Sequence, residues 1–184
     1  MIVEQPSLFT NSDSTLASRE HLSISESALK EWKQRIFNYQ KDLSPLQQAS
    51  LFNWVETDPN AIDPFKLPQK NTQFWRQKTE DEGTAALYFV IDYEIPIILY
   101  IGETVKSNQR WKGEHDCKRY LLNYRQAHYD YQLPSTLGIA FWSNAPEKTR
   151  DRQKLELSLI QRWRSPFNKE NWTTWGTPFI YGKK

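Results

Sequence analysis

The chain has 184 residues, of which 38% are hydrophobic, and this length suits one domain with an appendage. Its single cysteine, Cys117, excludes an internal disulfide, and the lack of a Cys/His cluster in the sequence excludes a structural zinc site. No apolar run approaches the roughly 18 residues that a membrane helix needs, and the N-terminus lacks the basic region of a secretory signal. These features predict a cytoplasmic protein with no membrane partner.

The formal net charge of +2 is unevenly distributed along the chain. Residues 1–26 carry one basic and four acidic residues, whereas residues 84–184 carry fifteen basic and ten acidic ones. A basic half is typical of proteins that bind polyanions, although solvated helix faces often carry similar charges. The charge distribution therefore leaves nucleic-acid binding and a plain solvated surface as two open interpretations.

The N-terminal part of the chain is predicted to be a tail followed by helices. Residues 1–24 are polar and predict a disordered tail. Ser25 is followed by apolar residues at helical spacing, which predicts a helix that ends near Asp42. Ser44 and Pro45 then predict a second, short helix as its N-cap and first-turn proline.

Residues 57–83 combine three prolines with many polar residues and predict a long, irregular connector on the surface. Trp75 and Arg76 lie in a short aromatic cluster within it and are candidate DNA contacts. Packing of the same two residues onto the domain is the alternative that the sequence favours. Residues 25–82 are thus expected to form a helical extension in front of a domain at residues 83–184.

The C-terminal half predicts the order strand, strand, helix, strand and helix. Residues 85–92 and 96–104 contain alternating β-branched and aromatic residues on either side of a turn, which is typical of a β-hairpin. A turn centred on Glu94 would pair Tyr88 directly with Tyr100. The expected fold is therefore α/β (α+β), with a small three-stranded antiparallel sheet flanked by helices.

Ser107 is a candidate N-cap for a helix that runs to about His128, and this helix places Arg110 in its first turn. The helix dipole and the free amides there favour an anion, so a guanidinium at that point suits a phosphate. Residues 135–142 alternate as a third strand, and a last helix covers about residues 144–163.

The apolar stripe of the last helix consists of Leu155, Leu159, Ile160 and Trp163. Glu156 lies at the edge of this stripe, where a carboxylate is costly to desolvate unless it meets a cation or a metal ion. An ion pair with Arg152 or Arg110 satisfies that requirement as well as a metal ion does. Both explanations of Glu156 stay open at this point.

The C-terminal half resembles the GIY-YIG nuclease family over about residues 84–172. Tyr100-Ile101-Gly102 is intact, whereas Ala86-Leu87-Tyr88 stands in for the first motif of the family. Further residues in the order of the family are Arg110, Glu156 and Asn168. The histidine often found one turn after the arginine is displaced, because Glu114 holds that position and His115 follows it.

The resemblance implies a DNA endonuclease that hydrolyses phosphodiester bonds with Mg²⁺, for which Mn²⁺ can substitute. Glu156 would hold the metal together with waters and phosphate oxygens. Tyr88 would act as general base or orient the water, and Tyr100 would hydrogen-bond the water or the phosphate. The remaining implied roles are phosphate clamping by Arg110, assistance by His115 and positioning of the active-site face by Asn168. For Asn168, a turn-forming role after Pro166-Phe167 is the alternative.

Three functional interpretations stay open. The first is an endonuclease of DNA repair or mismatch processing, associated with the nucleoid. The second is a type II restriction endonuclease of the same family. The third is a DNA-binding module without catalysis, which the altered first motif allows. DNA is the partner in each of them, and the further predicted contacts on the helix after the hairpin are Lys112, Lys118 and Arg119.

The tail contains Gln5-Pro6-Ser7-Leu8-Phe9, which resembles the short Gln-x-x-Leu-Phe peptide by which bacterial repair and replication proteins dock on the β sliding clamp. Gln5 would make amide hydrogen bonds, and Leu8 and Phe9 would fill an apolar pocket. A chance match, or packing of Leu8 and Phe9 back onto the domain, is the alternative. The resemblance implies recruitment of the protein by the clamp.

Overall fold

The computed structural model describes residues 24–43, 58–71, 83–106 and 116–180. Within these residues the chain forms helices on both sides of one antiparallel sheet. The strands are β1 (Gln69–Asn71), β2 (Ala86–Asp92), β3 (Ile97–Thr104) and β4 (Leu137–Trp142). The helices are α1 (Glu26–Lys41), α2 (Asp116–Asp130), α3 (Thr149–Trp163) and the single turn α4 (Trp172–Trp175).

The sheet has the strand order β1-β4-β2-β3, so the predicted mixed α/β class is confirmed while the strand count differs by one. Three strands were expected, and the fourth is β1, which pairs with β4 from within the segment predicted to be irregular. All three residues of β1 are polar and exposed. Strands are recognised in a sequence by alternating apolar residues. Since β1 has none, the sequence did not predict it.

Two short 3₁₀ helices also lie in that segment, at Pro59–Ala61 and Pro64–Lys66. Each begins with an aspartate whose side chain accepts a backbone N–H, Asp58 from Asn60 at 2.8 Å and Asp63 from Phe65 at 3.1 Å. An aspartate followed by proline is a good start for such a turn, because the proline fixes φ and lacks the N–H. The expectation of irregular backbone throughout this segment was therefore wrong for its described part.

Helix α1 confirms the prediction of a helix that starts after Ser25. The Ser25 hydroxyl accepts the backbone N–H of Ala28 at 3.2 Å, which satisfies one of the free donors of the first turn. Leu29, Trp32 and Ile36 are buried on one face at helical spacing. Through them α1 shares a core with the sheet.

The core consists of two apolar clusters, one on each face of the sheet. Side chains of β2 alternate between them, with Tyr88 and Val90 in the first and Leu87, Phe89 and Ile91 in the second. The first cluster also contains residues of α1 and α2, and the second contains the buried face of α3. Every residue of β2 is buried, as expected for a central strand covered on both faces.

The hairpin of β2 and β3 is confirmed, but its predicted register was wrong. Tyr88 lies opposite Gly102, and Tyr100 lies opposite Val90. The turn is longer than expected, and Leu99 is left without a partner as a β-bulge. The longer turn and the bulge each move the pairing by one residue relative to the predicted register. Their sum is a shift of two residues, which keeps Tyr88 and Tyr100 on the same face of the sheet as diagonal neighbours.

Strand β3 lies at the edge of the sheet, and side chains from elsewhere bond its outer backbone. The Gln40 amide accepts the Ile98 N–H at 2.7 Å and donates to the Ile98 carbonyl at 3.1 Å. The N–H of Phe167 donates to the Leu99 carbonyl at 2.8 Å. These contacts replace a neighbouring strand and hold the edge in one conformation.

The third predicted strand and the last predicted helix are confirmed as β4 and α3, with α3 starting a few residues later than expected. The predicted helix over residues 107–128 is described only from Asp116, and it extends to Asp130. The predicted helix that starts at Ser44 lies outside the described residues. Among the helices that the structure describes, none combines the length and apolar character needed to cross a bilayer.

Candidate functional site

The two motif tyrosines lie side by side on β2 and β3. Their ring centroids are 6.0 Å apart, and the rings are inclined by 30°. Tyr88 is fully buried, whereas Tyr100 is partly exposed. A Cβ atom added at Gly102 would lie 2.8 Å from Tyr88 Cε1, so the Tyr88 ring covers this glycine. The motif glycine is therefore required by the close approach of the Tyr88 phenol to β3.

Glu156 lies on α3, at the edge of its buried apolar face. The predicted stripe is confirmed, because Leu155, Leu159, Ile160 and Trp163 are all buried in the second core cluster. Glu156 itself is half-buried and faces a cleft. Water in the cleft can hydrate the exposed part of the Glu156 carboxylate. A cation would reach the carboxylate from the same side.

The cleft has a volume of about 340 Å³ and is lined by β3, α2, α3 and the segment after α3. Tyr100, Glu156 and Asn168 all line it, although more than 60 positions separate Tyr100 from Asn168 in the sequence. Tyr88 is not part of the lining. The structure thus brings three of the four described catalytic candidates to one opening. The fourth, Tyr88, is buried beside Tyr100.

Asn168 is buried and bonds the backbone of the motif strand. Its Oδ1 accepts the Ile101 N–H at 2.9 Å, and its Nδ2 donates to the Ile101 carbonyl at 2.8 Å. The Ser165 hydroxyl donates to the same Oδ1 at 2.6 Å. Its backbone N–H also closes a turn onto the Ser165 carbonyl at 3.2 Å. Asn168 therefore forms a turn, as one of its two predicted roles requires, and it also bonds the strand that carries Tyr100.

Arg152, one of the two predicted ion-pair partners of Glu156, is paired elsewhere. Its Nε donates to Glu103 Oε2 at 2.6 Å, and the guanidinium is completely buried. Its other donors reach the carbonyls of Pro146 and Glu147 at 2.8 and 3.0 Å. The Arg152 explanation of Glu156 is thereby removed, and the Arg110 explanation lies outside the described residues.

Two of the predicted DNA contacts lie on α2. Lys118 and Arg119 are both half-buried. Arg119 is 3.4 Å from Asp116 and stacks its guanidinium 5.2 Å from the centre of the Tyr120 ring. The Arg119 side chain keeps 28% of its surface exposed to solvent.

Several predicted site residues lie outside the part of the chain that the structure describes. They are Gln5, Leu8, Phe9, Trp75, Arg76, Arg110, Lys112 and His115. Their roles stay predictions.

Sequence reasoning missed further charged residues at the cleft. Asp116, Lys169 and Glu170 line it together with Glu156, so carboxylates outnumber cations among the described lining residues. Asp116 and Glu170 each lie in a helical turn, where an acidic residue in a sequence is indistinguishable from ordinary surface charge. An acidic opening of this kind repels a phosphate unless a cation accompanies it.

The donor set of the cleft suits a hard cation that keeps most of its water. Among the described residues, no three His, Cys, Asp or Glu side chains converge closely enough to bind one ion. Magnesium is commonly held by one or two carboxylates, with waters and substrate phosphates as the other ligands. Glu156 fits the role of such a carboxylate, because it is half-buried beside a cleft that has room for water.

A second polar cluster, which sequence reasoning also missed, is buried in the first core cluster. Lys33 Nζ is 2.9 Å from Asp92 Oδ2, and the Tyr124 hydroxyl donates to the same oxygen at 2.6 Å. Lys33 Nζ is also 3.1 Å from His128 Nε2. The available signal was Lys33 itself, a charged residue next to Trp32 on the buried face of α1.

No family model matches this chain, and neither the curated proteins nor the solved structures contain a significant match.

Proposed function

We propose that the protein is a magnesium-dependent DNA endonuclease with a GIY-YIG-like centre at the cleft. The observation that carries this proposal is the common cleft of Tyr100, Glu156 and Asn168, which the resemblance links in this order. The acidic lining adds support, because a phosphodiester needs a metal ion to enter it. The basic composition of residues 84–184 supports a polyanionic substrate.

Each residue of the proposed centre has a distinct task. Glu156 would hold Mg²⁺, which when bound would polarise a phosphoryl oxygen as a Lewis acid. Tyr100 faces the cleft and would hydrogen-bond the attacking water or the phosphate. Asn168 keeps β3 in place through its two bonds to Ile101 and acts as a positioning residue. Arg110 would clamp the phosphate.

A DNA-binding module without catalysis is the second candidate function. It is favoured by Tyr88, which has no exposed surface, because a general base must reach the water that it activates. In the nuclease proposal, Tyr88 accordingly does not act as a base, and its role is to pack against the Tyr100 ring. Activity measurements separate the two functions.

Replacing Glu156 by glutamine is expected to reduce nicking of DNA by on the order of 100- to 1000-fold, because the metal ligand loses its charge while the shape stays. The measurement is nicking of supercoiled plasmid with Mg²⁺, alongside mismatched and branched duplexes. Glu147→Gln is the matched control, since Glu147 is exposed and precedes the same helix. If the glutamine variant at 156 nicks like the wild type, Glu156 is not the metal ligand.

The substrate panel also tests the class of enzyme. Cleavage of mismatched or branched duplex would support a repair enzyme, and sequence-specific cleavage of plain duplex would support a restriction enzyme. If the wild type binds these DNAs and cleaves none of them, the protein is a binding module.

We further propose that the N-terminal peptide docks on the β sliding clamp, which rests on the sequence resemblance alone. A peptide of residues 1–12 is expected to bind the clamp, because Leu8 and Phe9 would fill an apolar pocket. Exchange of both residues for alanine is expected to abolish binding in a titration. Equal binding of the two peptides would refute the docking role.

A further inference from the structure

The basic residues of α3 fall into two groups that the sequence does not separate. Arg152 is completely buried in its ion pair with Glu103, and Arg162 is half-buried and donates to the Leu43 carbonyl at 2.9 Å. These two residues serve the fold. Other basic residues of the helix and its C-cap are exposed, namely Arg150, Lys154 and Arg164.

The exposed basic residues follow one line along the helix. Arg150, Lys154, Leu157, Gln161 and Arg164 are spaced by four, three, four and three positions, and all five are exposed. This spacing places Arg150, Lys154, Leu157 and Gln161 on a single face of α3, and Arg164 follows them as the left-handed C-cap of the helix. The line contains no acidic residue, and we call it the α3 outer stripe. The neighbouring Asp151 lies 3.9 Å from Lys154, a long and exposed contact that a ligand can displace.

The α3 outer stripe passes the proposed active site. Leu157, in its middle, lines the cleft and directly follows Glu156. From Arg150 to Arg164 the stripe spans about 21 Å at 1.5 Å per residue. That length corresponds to about six nucleotides of one duplex strand at 3.4 Å each. A strand that enters the cleft can therefore follow the helix in both directions.

Arg164, at the C-terminal end of the stripe, is held in a position where it can bind an anion. The Arg164 guanidinium lies 4.9 Å from the centre of the Tyr39 ring. Tyr39 is itself fixed, because its hydroxyl donates to the Arg162 carbonyl at 3.0 Å. Stacking occupies the face of a guanidinium and leaves N–H groups at its edge for phosphate oxygens.

We infer that the α3 outer stripe is the surface on which double-stranded DNA lies, with Arg150, Lys154 and Arg164 bound to phosphates of one strand on either side of the cleavage position. The inference rests on the proposed function for the identity of the polyanion. These contacts carry no base information, so they position the strand over the cleft.

The salt dependence of binding tests this surface separately from catalysis. Binding of a labelled duplex is measured without a divalent cation over a series of salt concentrations. For Arg150→Gln/Lys154→Gln/Arg164→Gln, the negative slope of log K against log salt is expected to become less negative by about 2.7, or about 0.9 for each lost phosphate contact. The control variant Lys30→Gln/Lys41→Gln/Lys66→Gln removes the same charge from exposed positions elsewhere and is expected to keep the wild-type slope.

The outcomes separate this inference from the proposed function. Equal slopes for both triple variants, or no binding of duplex by the wild type, would overturn the role of the stripe. If the slope becomes less negative in the stripe variant while the wild type never nicks DNA, the α3 outer stripe binds DNA and the nuclease proposal fails. If Glu156→Gln abolishes nicking while the stripe variant keeps its slope, the nuclease stands and the surface is wrong. Thermal unfolding of each variant confirms that it is folded before binding is compared.

Discussion

Replacing Asp92 by asparagine is expected to lower the free energy of unfolding by about 3 to 5 kcal/mol. Asp92 is fully buried, and its Oδ2 receives both Lys33 and the Tyr124 hydroxyl. Its Oδ1 accepts the N–H groups of Glu94 and Thr136 at 3.0 and 2.9 Å. Without the carboxylate charge, Lys33 becomes an ammonium buried with no counter-ion, and this accounts for most of the cost.

Urea unfolding of three variants tests this explanation. Asp130→Asn makes the same substitution at an exposed site on α2 and is expected to change the free energy of unfolding by less than about 0.5 kcal/mol. Lys33→Met added to Asp92→Asn removes the uncompensated charge and is expected to recover part of the loss. If the double variant is no more stable than Asp92→Asn alone, the unpaired ammonium is not the cause.

The same cluster makes stability depend on pH. Burial is the largest single influence on the pKa of Asp92 and raises it. The charge of Lys33 and the hydrogen bonds from Tyr124, Lys33 and Thr136 together outweigh burial, so the pKa of Asp92 lies below 3.8. Burial is also the largest influence on His128 and lowers its pKa below 6.5. His128 Nδ1 lies 2.8 Å from the Tyr124 carbonyl, which can only accept, so the neutral ring carries its proton there and accepts Lys33 at Nε2.

The direction of the pH effect follows from these shifts. Below about pH 6.5 the unfolded chain protonates His128 while the folded chain does not, so the free energy of unfolding falls as the pH falls. Below about pH 3.8 the unfolded chain also protonates Asp92 before the folded chain does, which adds a second loss. His128→Gln is expected to remove the loss between about pH 7 and 5 and to keep the lower one. An unchanged profile in this variant would show that another group titrates.

The sequence predicted those parts of the fold that depend on local periodicity. The buried stripe of α3 and the apolar runs of β2 and β3 are visible because burial selects every third or fourth residue of a helix, and most residues of a covered strand. Ser25 likewise marks the start of α1 by a local hydrogen bond. Such signals depend only on nearby residues, so a pattern is enough to find them.

The parts that the sequence did not predict depend on distant partners. The bulge at Leu99 sets the register, and it is accompanied by the bond from Phe167, 68 positions away. Lys33 and Asp92 are 59 positions apart, and no local pattern links a charged residue on a helix to one at the end of a strand. For the candidate site, Tyr100, Glu156 and Asn168 were found through the resemblance. Glu103 was not found, although it directly follows the intact motif.

The Arg152–Glu103 ion pair joins α3, which carries Glu156, to β3, which carries Tyr100. Arg152 has no exposed surface, and four of its contacts are polar: Glu103, the carbonyls of Pro146 and Glu147, and the Thr149 hydroxyl at 3.3 Å. The pair therefore ties the first turn of α3 to the strand that carries Tyr100. Glu156 lies one turn further along the same helix, so its position depends on this link.

Replacing Arg152 by methionine is expected to lower the free energy of unfolding by about 3 to 5 kcal/mol, because Glu103 and two partly buried carbonyls lose their donor. Under conditions where the variant is folded, nicking is expected to fall on the order of 100-fold, since a displacement of Glu156 by about 1 Å misplaces the metal ligand. Urea unfolding measures the first effect, and nicking over a series of Mg²⁺ concentrations measures the second.

Two controls separate positioning from general destabilisation. Glu103→Gln keeps an acceptor for Arg152, and so the geometry, but leaves the fully buried guanidinium without a counter-ion; it is expected to lose comparable stability while nicking stays near the wild-type rate once folded. Arg152→Lys restores the charge without the fork of donors, so it is expected to recover part of the Mg²⁺ response but not the full stability. A methionine variant that is destabilised, yet nicks with the wild-type rate and Mg²⁺ requirement once folded, would show that Arg152 serves the fold alone and that Glu156 is positioned by the packing of Leu155 and Leu159.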